Sequence, residues 1–295
     1  MAAPTIVYPN KTASAFTLIE LLVTMVIISI VAGLSLSGLA ASKQRSKIDK
    51  TKSTIRKLHE IVMPQYESYL SRRVAGATPA DRLAAIRLLM VQEMPDQWED
   101  VYPSGVMLLP LNATAPPRRY ASIKNAVSPS APYQGAECLA MVVTRGGFAP
   151  DAAELFRTDE MGDIDGDGAP EFRDSWGRPI GFIRWPAGYR SEVQLQDAAV
   201  NPDPFDPYRV STLANYPLGT NQRDYGLIPL IYSSGPGGAA DDPGSTPSGY
   251  EVDLSLHWLQ STPILSTRLG TPVAGGISDA AVESDNITNH DLLKR

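Results

Sequence analysis

The chain has 295 residues, a formal net charge of −6 and 43% hydrophobic side chains. An acidic balance without a basic, aromatic surface argues against nucleic acid as the main partner. The single cysteine, Cys138, excludes an intrachain disulfide, so an exported domain must be held by packing or by a metal.

From Phe16 to Ala41 the chain is apolar or small and carries one ionisable side chain, Glu20. At about 1.5 Å per residue, a helix of this stretch is long enough to cross a bilayer core of about 30 Å. A carboxylate near its start costs on the order of 2–3 kcal/mol there, which makes a paired, functional role the default expectation. The run at its head is Ala15-Phe16-Thr17-Leu18-Ile19-Glu20-Leu21-Leu22. This segment resembles the class III signal of type IV pilins and type II secretion pseudopilins. The resemblance implies that a prepilin peptidase removes a leader over residues 1–15 by cutting between Ala15 and Phe16. The new amine of Phe16 would then be methylated. Phe16 and Glu20 would serve assembly, because the Phe16 ammonium of one subunit neutralises a Glu20 carboxylate that would be costly if isolated. Two residues depart from the family pattern. Ala15 stands where Gly is usual, and Gly33 and Gly38 offer soft bends where many pilins kink the helix with Pro.

Two plainer readings compete. A secretory signal would be cut near Gly38-Leu39-Ala40, but the run is long for that purpose and Glu20 would weaken its core. A plain membrane anchor accounts for the length and leaves Phe-Thr-Leu-Ile-Glu without a reason. Orientation holds a conflict, since only Lys11 precedes the span while Lys43, Arg45, Lys47, Lys50 and Lys52 follow it. Flanking charge alone would place the C-terminal side in the cytoplasm. The resemblance implies the opposite: a single-pass protein of the inner membrane with its C-terminal domain in the periplasm. We adopt that orientation, with the basic cluster either against anionic headgroups or on a solvated helix face.

After the 16–41 span, Ile48, Ile55, Leu58, Val62, Tyr66 and Tyr69 recur at three- and four-residue spacing. This pattern predicts an amphipathic continuation of the same helix over 42–75, with Pro64 kinking or interrupting it. The exported globular domain then spans 76–295. In it Thr78-Pro79-Ala80-Asp81 predicts a helix start, with Thr78 as N-cap and Pro79 in the first position. Leu83, Ile86, Leu89 and Met90 give its apolar face, and Pro95 stops it near Met94. Beyond Trp98, the short apolar runs Cys138–Val143, Ile180–Trp185 and Leu227–Tyr232 lie between Pro, Gly and Asp clusters and predict antiparallel strands. The stretch from Asp241 to Gly249 reads as a loop, and the tail from about Thr267 has few anchors. The fold class expected is α+β, a long N-terminal helix packed on a loop-rich antiparallel β domain, as the pilin resemblance also implies.

The segment 163–174 is a second strong signal. Asp163, Asp165 and Asp167 occupy positions 1, 3 and 5 of a calcium loop, with Gly168 at the turn position. The Ala169 carbonyl falls at position 7, Glu171 at 9 and Asp174 at 12. These residues predict a structural Ca2+ site, a clip suited to a domain without disulfides. Asp174 in place of the usual Glu, Pro170 at position 8 and the lack of evident flanking helices depart from an EF-hand. The competing reading is an acidic turn that binds nothing. The following Asp174-Ser175-Trp176-Gly177-Arg178-Pro179-Ile180 is similar to a Trp-Gly segment of major pseudopilins, a family in which a nearby C-terminal loop binds calcium. Here that loop would correspond to 233–253, with Asp241, Asp242, Glu251 and Asp253. An ordinary Gly-rich connection is the alternative.

Nothing in the chain has the pattern of an enzyme. His59, His257 and His290 lack zinc-pair spacing, and there is no G-x-S-x-G elbow, P-loop or dinucleotide fingerprint. The expectation is therefore a structural subunit of a filament, a pseudopilus of type II secretion. Its partners would be homologous subunits, the prepilin peptidase and an inner-membrane assembly platform. A minor type IV pilin for adhesion, motility or DNA uptake is the nearer alternative. An exported enzyme or ligand-binding domain using the signal only as an anchor is the more distant one.

Overall fold

A computed structural model describes residues 17–101, 118–127, 133–147, 149, 151–186, 189–195, 197–210, 225–236 and 286–293. The Ala15–Phe16 bond, the residues from 237 to 253, His257 and the start of the tail lie outside them. The contacts divide the chain into two units, Met1–Ser46 and Lys47–Arg295.

Helix α1 runs from Leu18 to Ser68 and ends in a 3₁₀ turn, Tyr69–Ser71. From Leu21 to Ala41 it is apolar or small on all sides, as its sequence requires. Within the second unit only a stripe is buried, made by Ile55, Leu58, Val62 and Tyr66 and continued by Tyr69. Pro64 does not interrupt the helix. The proline costs a helix interior about 3 kcal/mol, and the buried Val62, Gln65 and Tyr66 around it hold the backbone against the core.

Helix α2, Pro79–Glu93, starts and stops where its sequence says. Thr78 accepts from the Asp81 N–H at 3.1 Å and Asp81 accepts from the Thr78 N–H at 2.9 Å, a reciprocal cap with Pro79 in the first turn. Met94 is its C-cap, just before Pro95. Short helices α3 (Trp98–Val101) and α4 (Arg118–Lys124) follow.

The run Cys138–Val143 corrects the strand expectation, because it lies inside helix α5, Gln134–Arg145. Every residue from Gly135 to Val143 is buried. Every side chain of the run itself is apolar, so it carries no period and reads equally well as a strand. The polar residues that mark the helix, Gln134, Glu137, Thr144 and Arg145, flank it. The expected strands at the other two runs are present. Strand β1 (Met161–Gly162) pairs antiparallel with β2 (Glu171–Phe172). Strand β3 (Gly181–Ile183) pairs with β4 (Leu230–Ser233), and β4 with β5 (Ile287–Thr288), all antiparallel. A last helix, α6 (Asn289–Leu292), carries a Thr288–Asp291 cap. The end of the tail is thus anchored, with Ile287, Thr288, Asn289 and His290 buried, contrary to the expectation of few anchors.

The second unit is therefore α+β without a closed barrel among the described residues. One core joins the α1 stripe to Leu83, Ile86 and Met90 of α2, Leu139 and Val143 of α5, and Phe172, Phe182 and Ile231 of the strands. A second cluster gathers Trp98, Tyr120, Cys138, Met141 and Ala169.

Candidate functional site

The N-terminal helix presents its apolar side chains outward. All the large ones from Leu18 to Leu39 are exposed, and the helix is long and apolar enough to cross a membrane. A surface of this extent needs lipid or other helices to cover it. Three of its polar side chains are folded back on the backbone. The hydroxyls of Thr24, Ser29 and Ser35 donate to the carbonyls of Leu21, Met25 and Val31 at 2.8–2.9 Å. Glu20 is held by Thr17, whose N–H and hydroxyl both donate to Glu20 Oε2 at 2.9 Å, while the Glu20 N–H donates to Thr17 Oγ1 at 3.3 Å. This is a capping box. Its signature, Thr-x-x-Glu before an apolar run, was there to be read and passes unnoticed beside the family motif.

The acidic segment is the connection of the β1–β2 hairpin, not a loop between helices. Gly166 and Gly168 take positive φ, 81° and 95°, so the turn expected at Gly168 is present. Asp163 is exposed and used within the loop, accepting from the N–H groups of Gly166 at 2.6 Å and Gly168 at 3.0 Å. Asp165 accepts from the Asp167 N–H, and Asp167 from the Ala169 N–H. Glu171 opens β2 and takes the Ile164 N–H on Oε2 at 2.9 Å.

Three of the expected ligands, Asp165, Asp167 and Glu171, converge. With them comes a fourth carboxylate, Glu137 on α5, and the four place one oxygen each within 4.8 Å of one another. Glu137 is 1% exposed and Glu171 is fully buried. Glu137 Oε2 accepts from the indole N–H of Trp98. The remaining oxygens, Glu137 Oε1 and Glu171 Oε1, are buried without a hydrogen-bond partner. Burial pushes the Glu137 carboxyl up to about 8, the Trp98 bond opposing it and Asp167, Glu171 and Asp165 adding to it. Burial likewise raises Glu171 to about 7, with further repulsion from Asp165, Asp163 and Asp167. Glu137 could not be found by loop spacing. Its signal is an acid set in an apolar helical run, a placement that requires a partner.

Asp174, the expected twelfth-position ligand, is placed elsewhere. Its Oδ1 accepts from the N–H groups of Trp176 and Arg178 at 2.8 and 2.9 Å, and Oδ2 accepts from the Ser233 hydroxyl at 2.8 Å. Burial raises its pKa. It shapes the Trp-Gly turn, where Gly177 has φ of 84°. Arg178 extends from that turn to Ser234 at 3.1 Å and to the Gly235 carbonyl. The Trp-Gly segment and the start of the 233–253 loop therefore meet.

Over residues 10–36 the chain matches the family model for the prokaryotic N-terminal methylation motif. With the long apolar helix behind it, this segment fits the signals of type IV pilin-like proteins. No curated protein and no solved structure matches the chain.

Proposed function

We propose that this chain is the precursor of a pilin-like structural subunit, and that the filament it enters is the pseudopilus of a type II secretion system. The reading rests on the methylation motif over 10–36 and on the apolar stretch 16–41, whose single carboxylate, Glu20, stands at the head of the helix. Cleavage between Ala15 and Phe16 would free an ammonium, methylation would keep its charge, and Glu20 of a neighbouring subunit would neutralise it. Phe16 and Glu20 are the assembly residues. The partners are homologous subunits, the prepilin peptidase and the inner-membrane assembly platform. The anchor would sit in the inner membrane with the C-terminal domain in the periplasm.

The Trp176-Gly177 turn and its contact with Ser234 and Gly235 support the secretion branch over a minor type IV pilin. A structural rather than catalytic role is supported by the burial of Cys138 and His290, a nucleophile and a base type among the described residues. The Cys138 thiol is buried inside α5, and burial drives its pKa well above the ordinary thiol value. His290 is buried, with Nδ1 2.9 Å from the Ser191 hydroxyl and Nε2 3.2 Å from the Ile228 carbonyl.

The test is the N-terminal mass of the protein taken from its native membrane, with and without the prepilin peptidase. A chain beginning at methylated Phe16 only when the peptidase is present is the expected result. An intact leader in both samples, or a cut near Ala40, would overturn the reading.

A further inference from the structure

We infer that Glu137, Asp165, Asp167 and Glu171 form a calcium site that clips the β1–β2 hairpin to helix α5, with a ligand set different from the one the loop spacing suggests. The carboxylates come from two parts of the fold far apart in sequence, and each places an oxygen within 4.8 Å of the others. Oxygens bound to one calcium at about 2.3–2.6 Å lie at most about 4.6–5.2 Å apart, so this group fits around one such ion as it stands. Magnesium, at about 2.0–2.1 Å, would require the group to contract to within about 4.2 Å. An all-oxygen, all-carboxylate donor set selects a hard cation over zinc or copper.

The second observation is independent of the clustering. Glu137 and Glu171 each keep one oxygen, Oε1, buried without a hydrogen-bond donor. A buried carboxylate oxygen is tolerated when a cation meets it, and apart from the Trp98 and Ile164 donors the neighbours acting on both groups are other carboxylates. The Trp98 indole and the Ile164 N–H hold the two glutamates by their other oxygens and aim them. Asp163 and Asp174 serve the backbone instead, Asp163 winding the loop and Asp174 shaping the following turn. In a chain with one cysteine, such a clip performs the work of a disulfide between hairpin and helix. The inference does not depend on the secretion reading.

The experiment uses the full chain in detergent, stripped with a chelator, then titrated with terbium and displaced with calcium. The unfolding temperature is followed by tryptophan fluorescence. Terbium emission excited through tryptophan, displaced by calcium and not by equal magnesium, is expected. Calcium at about 1 mM should raise the unfolding temperature by about 3 °C or more. Glu137→Gln should weaken calcium binding by about tenfold or more, whereas Asp159→Asn, which removes an exposed carboxylate outside the group, should leave it unchanged. A ligand also predicts a crossing: Glu137→Gln should be more stable than wild type in chelator and less stable in calcium. Three results would overturn the site: no calcium-dependent change in wild type, wild-type affinity in Glu137→Gln, or a variant less stable than wild type by the same margin in both conditions.

Discussion

Arg184 is the most deeply buried cationic side chain among the described residues. It follows β3, is 1% exposed, and has its guanidinium 4.2 Å above the Trp185 ring. Nη1 donates to Asp100 at 2.9 Å and to the Met94 carbonyl at 2.6 Å. Nη2 lies 3.2 Å from Asp96, whose other oxygen accepts from the Arg184 N–H at 2.9 Å. Arg184→Leu would keep the volume roughly filled and leave two largely buried carboxylates without this cation. Removing one partner of such a group costs about 3–5 kcal/mol. For a domain of this size each kcal/mol moves the unfolding temperature by about 2–4 °C, so a fall of about 6–20 °C is expected. The assay is thermal unfolding of the full chain in detergent, read by tryptophan fluorescence, since all four tryptophans follow residue 46. Adding Asp96→Asn and Asp100→Asn to the variant should recover part of the loss. Trp98, which holds Glu137, lies between those two aspartates, so the single variant should also weaken terbium emission. A loss below about 1 kcal/mol for Arg184→Leu would refute the argument, since it would mean that the carboxylates are effectively solvated.

Three further outcomes are expected. Glu20→Gln should abolish incorporation into filaments, scored by immunoblot of the sheared fraction. Because Gln can still complete the Thr17 cap, normal incorporation would refute the charge-pairing argument without implicating the helix. His290 is held by burial at about 4, below its ordinary 6.5, so the folded state binds fewer protons than the unfolded one between those values. Its contribution is fully present above pH 6.5 and is lost as pH falls through 4, on the order of 3 kcal/mol in all. A pH series of unfolding free energies for wild type and His290→Gln in saturating calcium should show a steeper slope in wild type, the variant keeping the smaller share due to His59, which burial also lowers. Thr78→Ala removes the α2 cap and should cost about 1 kcal/mol by urea unfolding, with an unchanged slope.

The features legible in the sequence were those governed by near neighbours along the chain. A long apolar run makes a membrane-length helix because no charged side chain follows Glu20 before Lys43 and the hydroxyls of Thr24, Ser29 and Ser35 bond to the helix's own backbone. Thr78, Pro79 and Asp81 start α2, and Pro95 ends it, because caps and prolines act within a turn of themselves. Asp165, Asp167 and Glu171 were placed by loop spacing for the same reason. What the tertiary structure decided were matters of distant partners. The burial of α5 from Gly135 to Val143 is a matter of what packs around it, which the apolar run 138–143 alone does not express. Pro64 stays within α1 because core packing offsets a local penalty. Asp174 leaves the acidic group because Ser233 and the Trp-Gly turn compete for its oxygens, and Glu137 enters it because α5 packs on β2. Local chemistry sets where a chain turns and caps, whereas the partner of a buried charge depends on which segments the folded core brings together.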